Sequence, residues 1–175
     1  MRRDSIEKDA GALRDHLQEK LKDVNYEVAK EYIEWIDKQT TYFKDTIDKV
    51  GYKTQPDNLT RGDVVWAEFG INIGTELSDF NTRGHYALVW CIDLGNLVVI
   101  PLSSRDAPGS AMTFDLGNIP ELGEDGAHSY LKLDAIRSIS KRRIARMPGK
   151  KGGKVTLDPA IVAKVEEAIK MTFLN

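Results

Sequence analysis

Tyr86-Ala87-Leu88-Val89-Trp90-Cys91-Ile92, followed by Asp93-Leu94-Gly95-Asn96 and then by Leu97-Val98-Val99-Ile100-Pro101-Leu102, is the stretch that decides the fold. Its two long runs are β-branched and aromatic, the composition of strands, and Gly95-Asn96 between them predicts a tight hairpin. Pro101 has no N–H to offer a ladder, so it points to an edge or a bulge. Outward on the N-terminal side, Val64-Val65-Trp66-Ala67-Glu68-Phe69 reads as a further strand. On the C-terminal side, Ser129-Tyr130-Leu131-Lys132-Leu133 alternates like a half-buried strand, and Ser138-Ile139-Ser140 is a shorter one. Two segments between these runs, 70–85 and 103–128, are rich in Gly, Asn, Asp and Ser and read as long loops, where function tends to sit. The chain closes with a helix: Asp158 is its N-cap, Pro159 its first residue, and Ile161, Val165, Ile169 and Phe173 step along one face. Residues 61–175 are therefore expected to form one compact α+β domain with a mainly β core.

Residues 1–51 read differently. Apolar residues recur at Leu13, Leu17, Leu21, Val24, Val28, Tyr32, Ile36, Phe43, Ile47 and Val50, the spacing of an amphipathic helix. Asp4-Ser5-Ile6-Glu7 fits a capping box at its start, Gly51 a C-cap at its end, and Asn25 a break into two helices. The plain expectation is a helix or hairpin packed on the domain; the sharper one is a dimerisation or partner-binding coil. Residues 52–60 are polar, contain Pro56 and read as a linker.

Among 175 residues, 41% apolar and 30% charged, the single Cys91 leaves no disulfide framework. The polar start and the lack of a bilayer-length apolar run point to a cytoplasmic protein with no membrane association. The net charge of −2 hides a split: three Lys/Arg against ten Asp/Glu over 61–125, then nine Lys/Arg against Asp134 alone over 126–154. A basic block of that density is either a solvated face or a polyanion-binding surface. His16, His85 and His128 are isolated and no Cys/His cluster has zinc spacing, so neither metal nor cofactor is expected. Gly149-Lys150-Lys151-Gly152-Gly153-Lys154-Val155 falls one residue short of a phosphate loop and has Val155 where Ser or Thr is needed. A Ser-His-Asp trio could be composed from Ser103 or Ser104, His85 and Asp93, but no nucleophile-elbow motif supports it.

Three segments carry a more specific signal. Arg61-Gly62-Asp63-Val64-Val65-Trp66-Ala67, with Gly74-Thr75-Glu76 in the following loop, is the first. Tyr86-Ala87-Leu88-Val89, Asp93 and Val98-Val99-Ile100-Pro101-Leu102-Ser103-Ser104 make the second. Ile136-Arg137-Ser138-Ile139-Ser140-Lys141-Arg142-Arg143-Ile144 is the third. In this order and spacing they resemble the MazF/PemK (Kid-like) toxins of type II toxin–antitoxin systems, over about two-thirds of the chain. The resemblance implies an SH3-like, Kid/PemK-type small barrel with a C-terminal helix, here preceded by an α-helical arm. It also implies a homodimer, a cognate antitoxin partner, and metal-independent cleavage of single-stranded RNA by attack of a ribose 2′-hydroxyl on the neighbouring phosphate.

Carried over by position, the resemblance places His85 where the family has its catalytic arginine, with Arg83 nearby as a phosphate clamp. Ser103 matches the family's threonine as a phosphate-binding hydroxyl, and Ser140 stands where the family has an aspartate. Glu76, Ser104, Arg105, Arg137, Lys141 and Arg143 are the expected RNA-binding residues. The rival expectation is a module on the same fold that has lost catalysis and grips RNA or a protein target such as gyrase.

Overall fold

The computed structural model describes residues 3–81, 84–123 and 126–174. Its contacts gather into two compact units, Met1–Lys44 and Asp45–Asn175. The first holds α1 (Arg3–Leu21) and most of α2 (Tyr26–Ile47). Asn25 does separate them: its Oδ1 accepts the N–H of Glu27 at 3.0 Å and of Val28 at 3.4 Å, the N-cap of α2. Asp4 lies inside α1, one residue after its start, and does not precede it. The far end of α2 also differs from expectation. Lys49, at φ 57°, takes the left-handed position, with Lys49 N–H on Thr46 O and Val50 N–H on Asp45 O, so the helix closes before Gly51. No described helix is long and apolar enough to cross a membrane.

In the second unit, eight described strands form one antiparallel sheet: β1 (Asp63–Ala67), β2 (His85–Ile92), β3 (Asn96–Ser103), β4 (Thr113–Asn118), β5 (His128–Lys132), β6 (Arg137–Ser140), β7 (Ile144–Ala145) and β8 (Val155–Thr156). The order is β4-β5-β3-β2-β1-β7, with β6 added on β3 and β8 on β1. No pairing among the described residues joins β4 to β7, so the sheet is not closed into the small barrel that the resemblance implies. The C-terminal helix is α3 (Pro159–Phe173), capped by Asp158, whose Oδ1 accepts Ala160 N–H at 2.7 Å.

The central strands read as continuous apolar runs because both faces of the sheet are covered. Val64, Leu88, Ile100, Leu102 and Leu131 pack with Val165 and Ala168 of α3. Val65, Ala67, Ala87, Val89, Val99, Ile139 and Ile144 form a second cluster with Phe69. Pro101 is not at an edge. It sits between the part of β3 that pairs with β6 (Asn96–Val99) and the part that pairs with β5 (Leu102, Ser103), where neither ladder needs its donor. The strand expected over 64–69 stops at Ala67 because the next two donors leave the ladder. Glu68 N–H goes to Arg143 O, and Phe69 N–H to the carboxylate of Asp79.

Each residue of Arg61-Gly62-Asp63 has a structural task. The Arg61 guanidinium lies 3.7 Å from the Trp90 ring centroid and 3.4 Å from Glu166 on α3. Gly62 has φ +93°, and a Cβ there would come 3.0 Å from Val162 of α3. Asp63 is fully buried and accepts from Lys154 Nζ (2.6 Å), Thr156 Oγ1 (2.6 Å), Thr60 N–H (2.6 Å) and Thr60 Oγ1 (3.1 Å). Burial pushes its carboxyl up, but the hydrogen bonds from Lys154, Thr156 and Thr60 outweigh this and hold it below the ordinary carboxylate value.

The basic block turns out to be largely occupied within its own unit. Arg142 donates to the carbonyls of Asp45, Val50 and Gly51 and lies 5.0 Å from the Tyr52 ring centroid. Arg146 donates to Gln55 O and grips the Asp57 carboxylate, which that bond holds below its usual range. Lys154 reaches Asn58 O as well as Asp63. Residues 45–63 thus run along the sheet domain under a row of cationic fasteners.

Candidate functional site

Antiparallel pairing sets Ala67 opposite His85, so the end of β1 and the start of β2 meet. On that face His85 aligns with Ala87 and Val89, and Arg137, opposite Val99, aligns with Ile139. Both side chains border the buried Phe69 ring. The His85 ring centroid is 6.2 Å from that of Phe69, and the Arg137 guanidinium carbon is 5.4 Å from it. The Arg137 guanidinium donates from Nε to Ala135 O at 3.3 Å.

Residues 70–79 fold back to bring the Asp79 carboxylate to His85. One carboxylate oxygen of Asp79 accepts the N–H groups of Phe69 and Gly70, while the other lies 2.7 Å from His85 Nδ1. Asp79 is almost completely buried and the His85 side chain is 22% exposed, so the imidazole spans from interior to surface. An ionised carboxylate only accepts, so Nδ1 carries the shared proton, and the tautomer that this favours has its lone pair on Nε2. Asn72 staples the loop base by donating to Leu77 O and taking Ser78 Oγ on its N–H. Gly84 precedes His85 where a Cβ would come 2.5 Å from Trp66 Nε1, so the chain enters β2 through a gap only glycine fits.

The other expected residues divide. Ser103 ends β3, and extending the Ala87–Pro101 register sets it opposite His85. Its hydroxyl accepts Arg105 N–H at 2.9 Å in a local turn. Ser104 and Arg105 are exposed on that turn. Across β5, Tyr130 pairs with Ser103, and its phenol is pushed up by burial and by Asp115 and Asp106. Glu76 is exposed near the tip of the 70–84 loop, away from its stapled base. Arg143 donates to the carbonyls of Glu68 and Phe69, so it supports the floor of the site. Lys141 donates to Leu94 O at 3.0 Å, in the β2–β3 hairpin at the other end of β2 from His85. Arg83 lies outside the described residues. Asp93 belongs to the hairpin, with its N–H on Asn96 O, and it is Asp79 that partners His85. Sequence reasoning missed Asp79; an acid six positions before a strand-opening histidine was the one available signal.

Fold and site together define an antiparallel-sheet domain that presents a carboxylate-held histidine at one end of a central strand and an arginine on the same face, both bordering Phe69. A family model described as PemK-like, MazF-like toxin of type II toxin–antitoxin system matches residues 60–173. The chain belongs to that family. Comparison with curated proteins finds no match.

Proposed function

We propose that the protein is a toxin-type endoribonuclease that cleaves single-stranded RNA in the cytoplasm without a metal, acts as a homodimer and is neutralised by a cognate antitoxin. The observation that carries the reading is the Asp79–His85 pair, with Arg137 bordering the same Phe69 ring, because transesterification of RNA needs a proton acceptor and a cation. His85 Nε2 takes the proton of the 2′-hydroxyl as its oxygen attacks phosphorus. The bond from phosphorus to the 5′-oxygen breaks, and the same proton passes to that leaving oxygen. The products are a 2′,3′-cyclic phosphate and a 5′-hydroxyl. Arg137 stabilises the crowded phosphate, with Arg83 as the further clamp and the Ser103 hydroxyl as a donor once its turn opens. Glu76, Ser104 and Arg105, exposed on their loops, would contact the strand, Arg143 would shape the floor beneath it, and Lys141 would meet only a longer RNA; unstacked bases suit such recognition.

The test is direct. Purified protein incubated with single-stranded RNA in EDTA should release fragments ending in cyclic phosphate. Salt-sensitive RNA binding with intact RNA would instead assign a binding module, and the enzymatic reading would fail.

Asp79 makes a separate prediction. Asp79→Asn keeps the size of the side chain but removes the acceptor that holds the proton on Nδ1. Turnover should fall by about tenfold or more, equivalent to about 1.4 kcal/mol of barrier, with RNA affinity little changed. Equal losses in binding and turnover would show that Asp79 only shapes the loop.

A further inference from the structure

The first unit leaves apolar surface uncovered. On α1, Ile6 is 49% and Leu13 57% exposed, and Ile33 of α2 is 52% exposed. α2 has no buried residue at all. A groove of about 460 Å³ runs along α1, lined by Ala10, Leu13, Leu17 and Leu21 with Arg14 and Gln18, while α2 contributes only Ile33 to its wall. A unit of this size rarely buries enough surface alone, and association is a usual remedy.

The α1 sequence says what fits. Ile6, Ala10, Leu13 and Leu17 follow alternating steps of four and three, the seam of a two-helix pair. Laid antiparallel against itself, the seam sets Ile6 against Leu17 of the second copy and Ala10 against its Leu13, each contact made twice by the two-fold axis. The residues flanking the seam then meet with opposite sign: Glu7 against Arg14, and Asp9 against His16 when that histidine is protonated. The present Arg14–Asp15 pair, 2.8 Å long between exposed neighbours, is weak enough to be exchanged. Acidic and basic residues are interspersed along the unit, so no large single-sign field would repel a second copy.

We infer that α1 is a self-association element: two copies of this chain pair through α1 in antiparallel fashion, each α1 seating in the α1–α2 groove of the other. The occupant is a second copy because stripe and flanking charges are both self-complementary, whereas a strongly acidic or basic foreign helix would find no field to match.

The experiment uses the full chain with Cys91→Ser to remove the native thiol. One preparation carries Ile6→Cys and another Leu17→Cys. On mixing under mild oxidation, a disulfide between the two preparations should form at least tenfold faster than between Lys8→Cys and Glu19→Cys chains, whose thiols lie on the outer face of the helix. Adding Leu13→Asp to both chains should abolish the difference while circular dichroism shows the helices intact. Cross-linking no faster than the outer-face control would overturn the inference. Rapid cross-linking of Ile6→Cys chains with one another would overturn it too, since that requires parallel helices. Cross-linking unaffected by Leu13→Asp would remove the seam as its cause.

Discussion

Replacing His85 with alanine should reduce RNA cleavage by about 100- to 10,000-fold, the range lost when a positioned acid–base group is removed. The fold should survive. Asp79 keeps the Phe69 and Gly70 N–H groups as partners, and the space left at His85 opens towards solvent. His85→Gln separates two roles, because an amide can still donate to Asp79 but cannot shuttle a proton. Its rate should match that of the alanine variant. His85→Arg introduces the group that the family resemblance implies at this position. If charge alone mattered, arginine would restore activity; with proton transfer at His85, cleavage stays low, because a guanidinium keeps its protons and cannot accept another. Single-turnover cleavage of a labelled RNA measures all three. Wild-type rates in the alanine variant would remove His85 from the chemistry.

Asp63→Ala should lower stability by about 3–5 kcal/mol, the cost of breaking a buried ion pair from one side. Lys154, with only 15% of its side chain exposed, would lose its carboxylate, and the hydroxyls of Thr60 and Thr156 would lose an acceptor. For a chain of this length the loss corresponds to a fall in Tm of about 6–20 °C. Adding Lys154→Met should recover part of it, because the second change removes the stranded charge. The pH dependence has a definite sign. The folded-state carboxyl of Asp63 titrates below its unfolded value, so its contribution is complete above the unfolded value, about pH 3.9, and is lost as pH falls through the lower folded value. Asp63→Ala should therefore flatten the acid limb of the stability curve, and an unchanged acid limb would rule out this linkage.

The β2–β3 hairpin was legible because its strands are buried on both faces and its turn residues are distinctive. The break at Asn25 and the start of α3 were legible for a similar reason: capping chemistry is local. β4 was not. It lies within a stretch read as loop, with Gly117 at φ +82° and a register shift between Asp115 and Asn118, so polar and glycine residues mask its pairing with β5. Within the candidate site, His85, Ser103 and Arg137 were singled out by position in recognisable segments. Asp79 was hidden because its role depends on a loop folding back on itself, which no residue spacing announces. The surroundings of Arg143 and Lys141 were hidden for another reason. A basic run in a sequence does not reveal which carbonyls its members will meet, and here Arg143 meets two.

The row of fasteners over residues 45–63 has a consequence for when this molecule becomes complete. Arg142 and Asp45 are 97 residues apart in the chain, Arg146 and Asp57 are 89 apart, and Lys154 and Asp63 are 91 apart. Contacts of that range are slow to form and must wait for the later partner to be made. On the ribosome, β1 would emerge with Asp63 still lacking Lys154, and the strap would have nothing to hold it. Locking waits until Lys154 has been made, so a shorter product that already carries His85 and Asp79 lacks the clasp that secures the opening strand.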